Sequence, residues 1–156
     1  LANFIDGVNA VRVTGGQPMQ GFAVLAHSYG ATTAAEALKI SETRVDSFIT
    51  YGSAGLEAGT TLRQMHTDHT YSTSATGDDV AWAGILGSGR VNPIDIPGVE
   101  EFGSEGTGGR VRVTAHDIFT EDRRASLWNW GGKVGYLSED TNSAEALGRV
   151  LAGGTP

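Results

Sequence analysis

A short apolar segment that turns through a serine into an alanine-rich helix constrains this chain more than any other feature. Residues 21–26 favour a buried strand and residues 31–38 favour a helix, so Ser28 lies at a sharp strand-to-helix turn. Ala26 and Gly30 are small enough to let the strand and the helix approach closely. Such a turn lifts the serine hydroxyl out of the sheet and leaves the N–H of Tyr29 free to stabilise an oxyanion. The alternative is a serine that only caps the helix.

The composition suits a soluble globular protein, and 156 residues predict one domain over residues 1–156. A net charge of −7 argues against a nucleic-acid or anionic membrane partner and favours neutral or cationic ligands. No apolar run reaches the roughly 18 residues that a membrane span needs. Without cysteine there is no thiolate nucleophile and no disulfide framework, and the compartment, cytoplasmic or secreted, stays open.

Hydrophobic periodicity predicts an α/β fold, with a mostly parallel sheet flanked by helices. Eight glycines in residues 84–109 predict a long irregular loop at a binding face. The predicted helices cover residues 1–13, 31–38 and 143–151, with a short helical piece at 61–65. The predicted strands cover residues 21–26, 45–51, 69–75 and 110–114.

Three candidate positions follow predicted strands, where parallel sheets gather their functional residues. They are Ser28, the pair Asp78 and Asp79, and His116. An imidazole can take the serine proton, and a carboxylate can orient that imidazole. We favour Asp78 as the acid because Val80 would then anchor the turn in the core, and Asp79 is the reserve. The alternatives are an ordinary Gly-Asp-Asp turn and a histidine that satisfies a loop hydrogen bond.

The other histidines suggest different chemistry. His66, Asp68 and His69 could in principle hold zinc, but their spacing matches no strong metal motif, and a solvated polar loop is the favoured interpretation. We therefore expect no metal and no cofactor. His27, next to Ser28, is expected to point away from the serine.

The tryptophans Trp82, Trp128 and Trp130 could line an acyl pocket or could pack in the core. Sequence periodicity does not choose between these two roles.

Taken together, residues 26–30 (Ala-His-Ser-Tyr-Gly), 52–55 (Gly-Ser-Ala-Gly), 77–80 (Gly-Asp-Asp-Val) and 115–119 (Ala-His-Asp-Ile-Phe) carry a family resemblance. The chain resembles an alpha/beta-hydrolase domain family of bacterial proteins of uncharacterised function. It departs from the family pattern at Ala26, Ala54, Asp79 and residues 117–119. The resemblance implies a serine hydrolase and matches Ser28, Asp78 and His116 to its catalytic positions, but it does not settle the substrate.

The resemblance also implies several strands before the serine turn, one of whose loops supplies a second oxyanion donor beside the N–H of Tyr29. The chain opens at the helix just ahead of that turn. We therefore expect residues 1–156 to be the C-terminal catalytic part of a longer chain. Its expected partners are that N-terminal segment or a second copy of itself.

The leading functional hypothesis is a serine hydrolase that cleaves carboxylic esters through an acyl-enzyme, with a small-molecule ester or acyl substrate. One alternative is a non-catalytic α/β interaction or structural domain. Another is acyltransferase or peptidase chemistry on the same three residues, because substrate choice depends on pocket shape.

Overall fold

The computed structural model describes residues 1–17, 21–119 and 133–156. Its helices are α1 (Ala2–Thr14), α2 (Tyr29–Ile40), α3 (Asp79–Ser88) and α4 (Asn142–Leu151), its strands are β1 (Ala23–His27), β2 (Val45–Tyr51), β3 (Thr67–Thr73) and β4 (Glu100–Glu101), and 3-10 turns cover Leu62–Gln64 and Pro93–Asp95. Within these ranges no helix has the length and apolar character that crossing a membrane requires.

The four strands form one parallel sheet in the order β1-β2-β3-β4. Because the strands are parallel, their carboxyl ends share one edge, and the residues that follow β1 and β3 meet there. The predicted α/β architecture is therefore confirmed, with helices flanking a parallel sheet. Among the described residues, β1 pairs with β2 alone and forms one border of the sheet.

Alternating side chains give the sheet two buried faces. Val24 and Phe48 face a cluster that includes Ile5 of α1 and Leu38 of α2. The next residue along β2, Ile49, belongs to a second cluster that contains residues of α4. This change of face from one residue to the next is what strand geometry requires.

Helix α1 agrees with the prediction in position and differs from it in burial. The apolar residues at helical spacing predict a buried stripe, but Phe4 and Val11 are 65% and 74% exposed. Only Ala2 and Ile5 of this helix are buried, because α1 meets α2 along a narrow contact.

Two sequence predictions are wrong for the residues that form α3. Residues 84–88, predicted as loop, form the second half of α3, and there Gly84 lies so close to Ala54 that a Cβ atom would approach its side chain to 3.0 Å. Gly84 thus permits close packing of α3 against Ala54, whereas Gly89 ends the helix in a left-handed conformation. Val80, expected in the core, is 58% exposed, because α3 begins at Asp79 and buries Ala81 and Ile85 instead.

The predicted strand at residues 110–114 is also wrong. In this segment only Val111 makes a β-bridge, with Thr141. The backbone N–H groups of Val113 and Thr114 donate to the carbonyls of Ser104 and Val134, which lie in loops and not in the sheet. Val113 is fully buried, so the alternation of apolar residues reflects a loop that covers the core.

Candidate active site

Ser28 occupies a strained turn between β1 and α2. Its φ of 56° and ψ of −133° make it the one residue other than glycine with a positive φ in the described part of the chain. Its N–H donates to the carbonyl of Tyr51, while its carbonyl accepts from the N–H groups of Ala31 and Ala54. The turn is thus held from both sides, and it keeps a conformation that a non-glycine residue rarely adopts.

In the structure, successive hydrogen bonds link the side chains of Ser28, His116 and Asp78. Oγ of Ser28 lies 2.7 Å from Nε2 of His116. Nδ1 of the same ring lies 3.0 Å and 2.9 Å from the two carboxylate oxygens of Asp78. With Nδ1 protonated toward the carboxylate, Nε2 is free to accept the serine proton. These positions are 88 and 38 residues apart in sequence, and the parallel sheet unites them.

Asp78 is completely buried, and donors surround its carboxylate. As the N-cap of α3 it accepts a 2.9 Å hydrogen bond from the N–H of Ala81. The hydroxyl of Tyr136 donates to its other oxygen, Oδ2, at 2.9 Å. Together with His116, these donors compensate for the loss of water around a buried charge.

Asp79, the alternative acid in the sequence, lies beside this arrangement and not in it. It is the first residue of α3, and it is exposed. An acidic side chain in the first turn interacts favourably with the helix dipole. The structure therefore brings Asp78, and not Asp79, to the ring of His116.

Tyr29 follows Ser28 as the first residue of α2, where the backbone N–H groups of a helix lack intrahelical acceptors. Its side chain is 59% exposed. The guanidinium of Arg90 lies 5.0 Å from the centre of its ring, and Nε of Arg90 is 3.1 Å from Glu57. The N–H of Tyr29 thus lies next to Ser28, at the carboxyl end of β1.

Tyr136 and His27 belong to this site, although sequence reasoning assigned neither of them to it. Tyr136 is fully buried, and its hydroxyl accepts from the N–H of Ala75 while it donates to Asp78. Burial raises the pKa of Tyr136 well above its usual range. His27, expected to point away from Ser28, donates from Nε2 to the carbonyl of His116 at 2.7 Å. Neither contact leaves a local signal in the sequence.

The residues considered for zinc have separate partners. Nδ1 of His66 donates to the carbonyl of Ser41, Asp68 pairs with Arg44, and His69 stacks on Tyr71. Among the described residues, no group of three metal-ligating side chains comes together.

Of the tryptophans, Trp82 lies on α3, and its Nε1–H donates to the carbonyl of Ala75 at 3.2 Å. Trp128 and Trp130 lie outside the described residues.

A family model described as Alpha/beta hydrolase matches residues 1–87, which is more than half of the chain. The chain belongs to this alpha/beta hydrolase family. The matched region includes Ser28 and Asp78, whereas His116 comes after it. No curated protein and no solved structure matches the chain significantly. Membership of the family supports a hydrolase-like domain.

Proposed function

We propose that this alpha/beta hydrolase is a serine hydrolase that cleaves carboxylic esters through an acyl-enzyme. Ser28 is the nucleophile, His116 the general base and Asp78 the acid that orients it. The observation that carries the proposal is the position of the His116 ring, 2.7 Å from the Ser28 hydroxyl and 2.9 Å from the Asp78 carboxylate. These distances lie within the reach that proton transfer requires.

In the first half of the reaction, Oγ of Ser28 attacks the ester carbonyl carbon as its proton passes to Nε2 of His116. The carbonyl oxygen becomes an oxyanion, and the N–H of Tyr29 donates to it. The bond to the leaving oxygen then breaks, and His116 gives its proton to the departing alcohol. What remains is an ester between the acyl group and Ser28.

In the second half, His116 takes a proton from water, and the resulting hydroxide attacks the acyl carbon. Collapse of the tetrahedral intermediate breaks the bond to Oγ, releases a carboxylic acid and returns the proton to Ser28. Throughout both halves the carboxylate of Asp78 holds Nδ1–H and stabilises the imidazolium that forms transiently. Its complete burial keeps water from competing for that hydrogen bond.

A fluorophosphonate probe and a p-nitrophenyl ester test the proposal together. We expect the probe to attach to the peptide that contains Ser28, and Ser28→Ala to lose both labelling and ester turnover. Ser88→Ala is the matched control, because within the described part of the chain this hydroxyl donates to carbonyls of its own helix, α3. Absence of labelling in the folded wild-type protein would contradict the proposal and favour a non-catalytic domain.

A further inference from the structure

We infer that His27 is a positioning residue that holds His116 at the correct distance from Ser28, an inference that rests on the proposed function. The proposal is carried by the hydrogen bond of 2.7 Å from Nε2 of His27 to the backbone carbonyl of His116. His27 immediately precedes the proposed nucleophile. One side chain thus ties the backbone of the base to the backbone that carries Ser28.

The backbone at His116 needs such a restraint, because it lies in a bend outside every helix and strand. The loop is held at the two following residues, where the carbonyls of Asp117 and Ile118 accept from the N–H groups of Tyr136 and Leu137. At His116 itself, the carbonyl accepts from His27. The hydrogen bond therefore restrains the loop at the residue whose ring must meet Ser28.

Ring contacts fix the orientation of His27. Its ring stacks on Tyr51 with centroids 5.1 Å apart and planes 25° apart. The ring centroid of His116 lies 4.6 Å from that of His27, and the ring centroid of Tyr136 lies 6.3 Å from it. With this packing, Nε2 has little freedom to leave the carbonyl of His116.

The same surroundings keep His27 neutral. Burial lowers its pKa, and the positive charge that His116 can carry lowers it further. In a neutral imidazole whose proton is on Nε2, that N–H donates to the carbonyl of His116 and Nδ1 is unprotonated. The ionisable groups around it are His116, Asp78, Asp117, Tyr51 and Tyr136.

Two amide substitutions separate positioning from mere packing. In His27→Gln, the side-chain N–H₂ is as many bonds from the backbone as Nε2 is in histidine, so it can donate to the same carbonyl. In His27→Asn the amide is one bond shorter and falls short of it. We expect His27→Asn to lower kcat about 100-fold, the effect of a displacement near 1 Å, with little change in KM. We expect His27→Gln to restore kcat to within about threefold of wild type, because it restores the hydrogen bond.

His66→Ala is the control, because an asparagine here would keep an amide N–H₂ as many bonds from the backbone as Nδ1 and could keep the hydrogen bond. His66 also donates to a backbone carbonyl, that of Ser41, but it lies before β3, at the opposite edge of the sheet from Ser28. We expect loss of the hydrogen bond from His66 to lower the thermal stability and to leave kcat unchanged. Equal kcat in wild type and His27→Asn, or equal losses in His27→Asn and His27→Gln, would overturn the proposal.

A second measurement does not depend on turnover. In proton NMR of the resting protein, the Nδ1–H of His116, hydrogen-bonded to Asp78, should give a far-downfield resonance. We expect that resonance in wild type and His27→Gln, and its loss or broadening in His27→Asn. Its persistence in all three proteins would contradict positioning, even if Ser28 proved unreactive. If fluorophosphonate does not label Ser28 but the resonance still depends on His27, only the proposed hydrolase activity is contradicted.

Discussion

The hydroxyl of Tyr136 donates a 2.9 Å hydrogen bond to Oδ2 of Asp78, 58 residues earlier in the chain. In Tyr136→Phe this donor is lost, and the N–H of Ala75 loses its acceptor. We expect a decrease of about 1–3 kcal/mol in the free energy of unfolding. Ester turnover should fall about tenfold, because the carboxylate then orients His116 less firmly. Urea denaturation and kcat measure the two effects.

Tyr51→Phe is the control for this substitution. The two tyrosine rings lie 5.8 Å apart in one aromatic cluster, but the hydrogen bonds to Asp78 include none from Tyr51. A loss of turnover in Tyr51→Phe as large as that in Tyr136→Phe would contradict a specific role for the Tyr136 hydroxyl.

Exchange of each carboxylate for an amide distinguishes Asp78 from Asp79. In Asp78→Asn, the amide group can favour the wrong tautomer of His116, and by analogy with serine proteases we expect kcat to fall about 10⁴-fold while KM changes little. Asp79→Asn loses only an exposed charge at the start of α3, with a cost of about 0.3–1 kcal/mol in stability. Steady-state kinetics of both variants provide the measurement. Full activity in Asp78→Asn would show that another group orients His116.

Gly52 lies so close to the site that it leaves no room for a side chain. A Cβ atom there would lie 2.8 Å from Tyr136, 3.0 Å from Asp78 and 3.3 Å from His27, and its φ is +54°. We expect Gly52→Ala to lower kcat about tenfold or more by displacing these groups. Gly59→Ala is the control, because Gly59 has a φ of +81° with open space around it. In Gly59→Ala the strain of the left-handed backbone alone should lower the free energy of unfolding, by about 1–2 kcal/mol.

Acid destabilisation should depend partly on His27. Its pKa is lowered in the folded state, chiefly by burial, from an ordinary value of 6.5. Neutral His27 therefore contributes stability that is fully present above pH 6.5 and is lost as the pH falls through the folded-state pKa. The free energy of unfolding of His27→Gln should decline less steeply over this range, as followed by urea titrations at each pH. Parallel curves for the two proteins would contradict this prediction.

The open border of the sheet predicts self-association of the 156-residue chain. Among the described residues β1 pairs with β2 alone, and Leu25 on β1 is 38% exposed. Such an edge favours pairing with another chain. Sedimentation velocity should reveal association that grows with concentration and decreases in Leu25→Lys. Leu86→Lys, on the exposed surface of α3, should leave it unchanged. A monomer at every concentration would contradict the prediction.

The sequence predicted the regular parts of the fold best where local periodicity and tertiary packing agree. Strand β2 begins and ends where its apolar pattern predicts, because both of its faces are buried. Helix α3 is not predicted from the sequence, because its glycines signal a loop locally while Gly84 makes a close contact with Ala54, 30 residues earlier in the chain. Apolar and polar residues alternate over residues 110–114 as in a strand, yet these residues form a loop in which Val113 is buried.

The candidate site was predictable only as far as individual residues carry a chemical signature. Ser28, Asp78 and His116 follow from residue type and from their positions after predicted strands. Tyr136 and His27 act through contacts with residues 58 and 89 positions away, and no local pattern encodes such contacts. The preference for Asp78 over Asp79 agrees with the observed geometry, although the packing of Val80 that motivated it was wrong.

The backbone conformation of Ser28 has a consequence for the stability of the fold. A serine with φ of 56° carries strain of order 1–3 kcal/mol, and glycine would relieve much of it. Ser28→Gly should therefore make the fold more stable while it removes the hydroxyl. A fold that did not need this hydroxyl would therefore be more stable with glycine at this position.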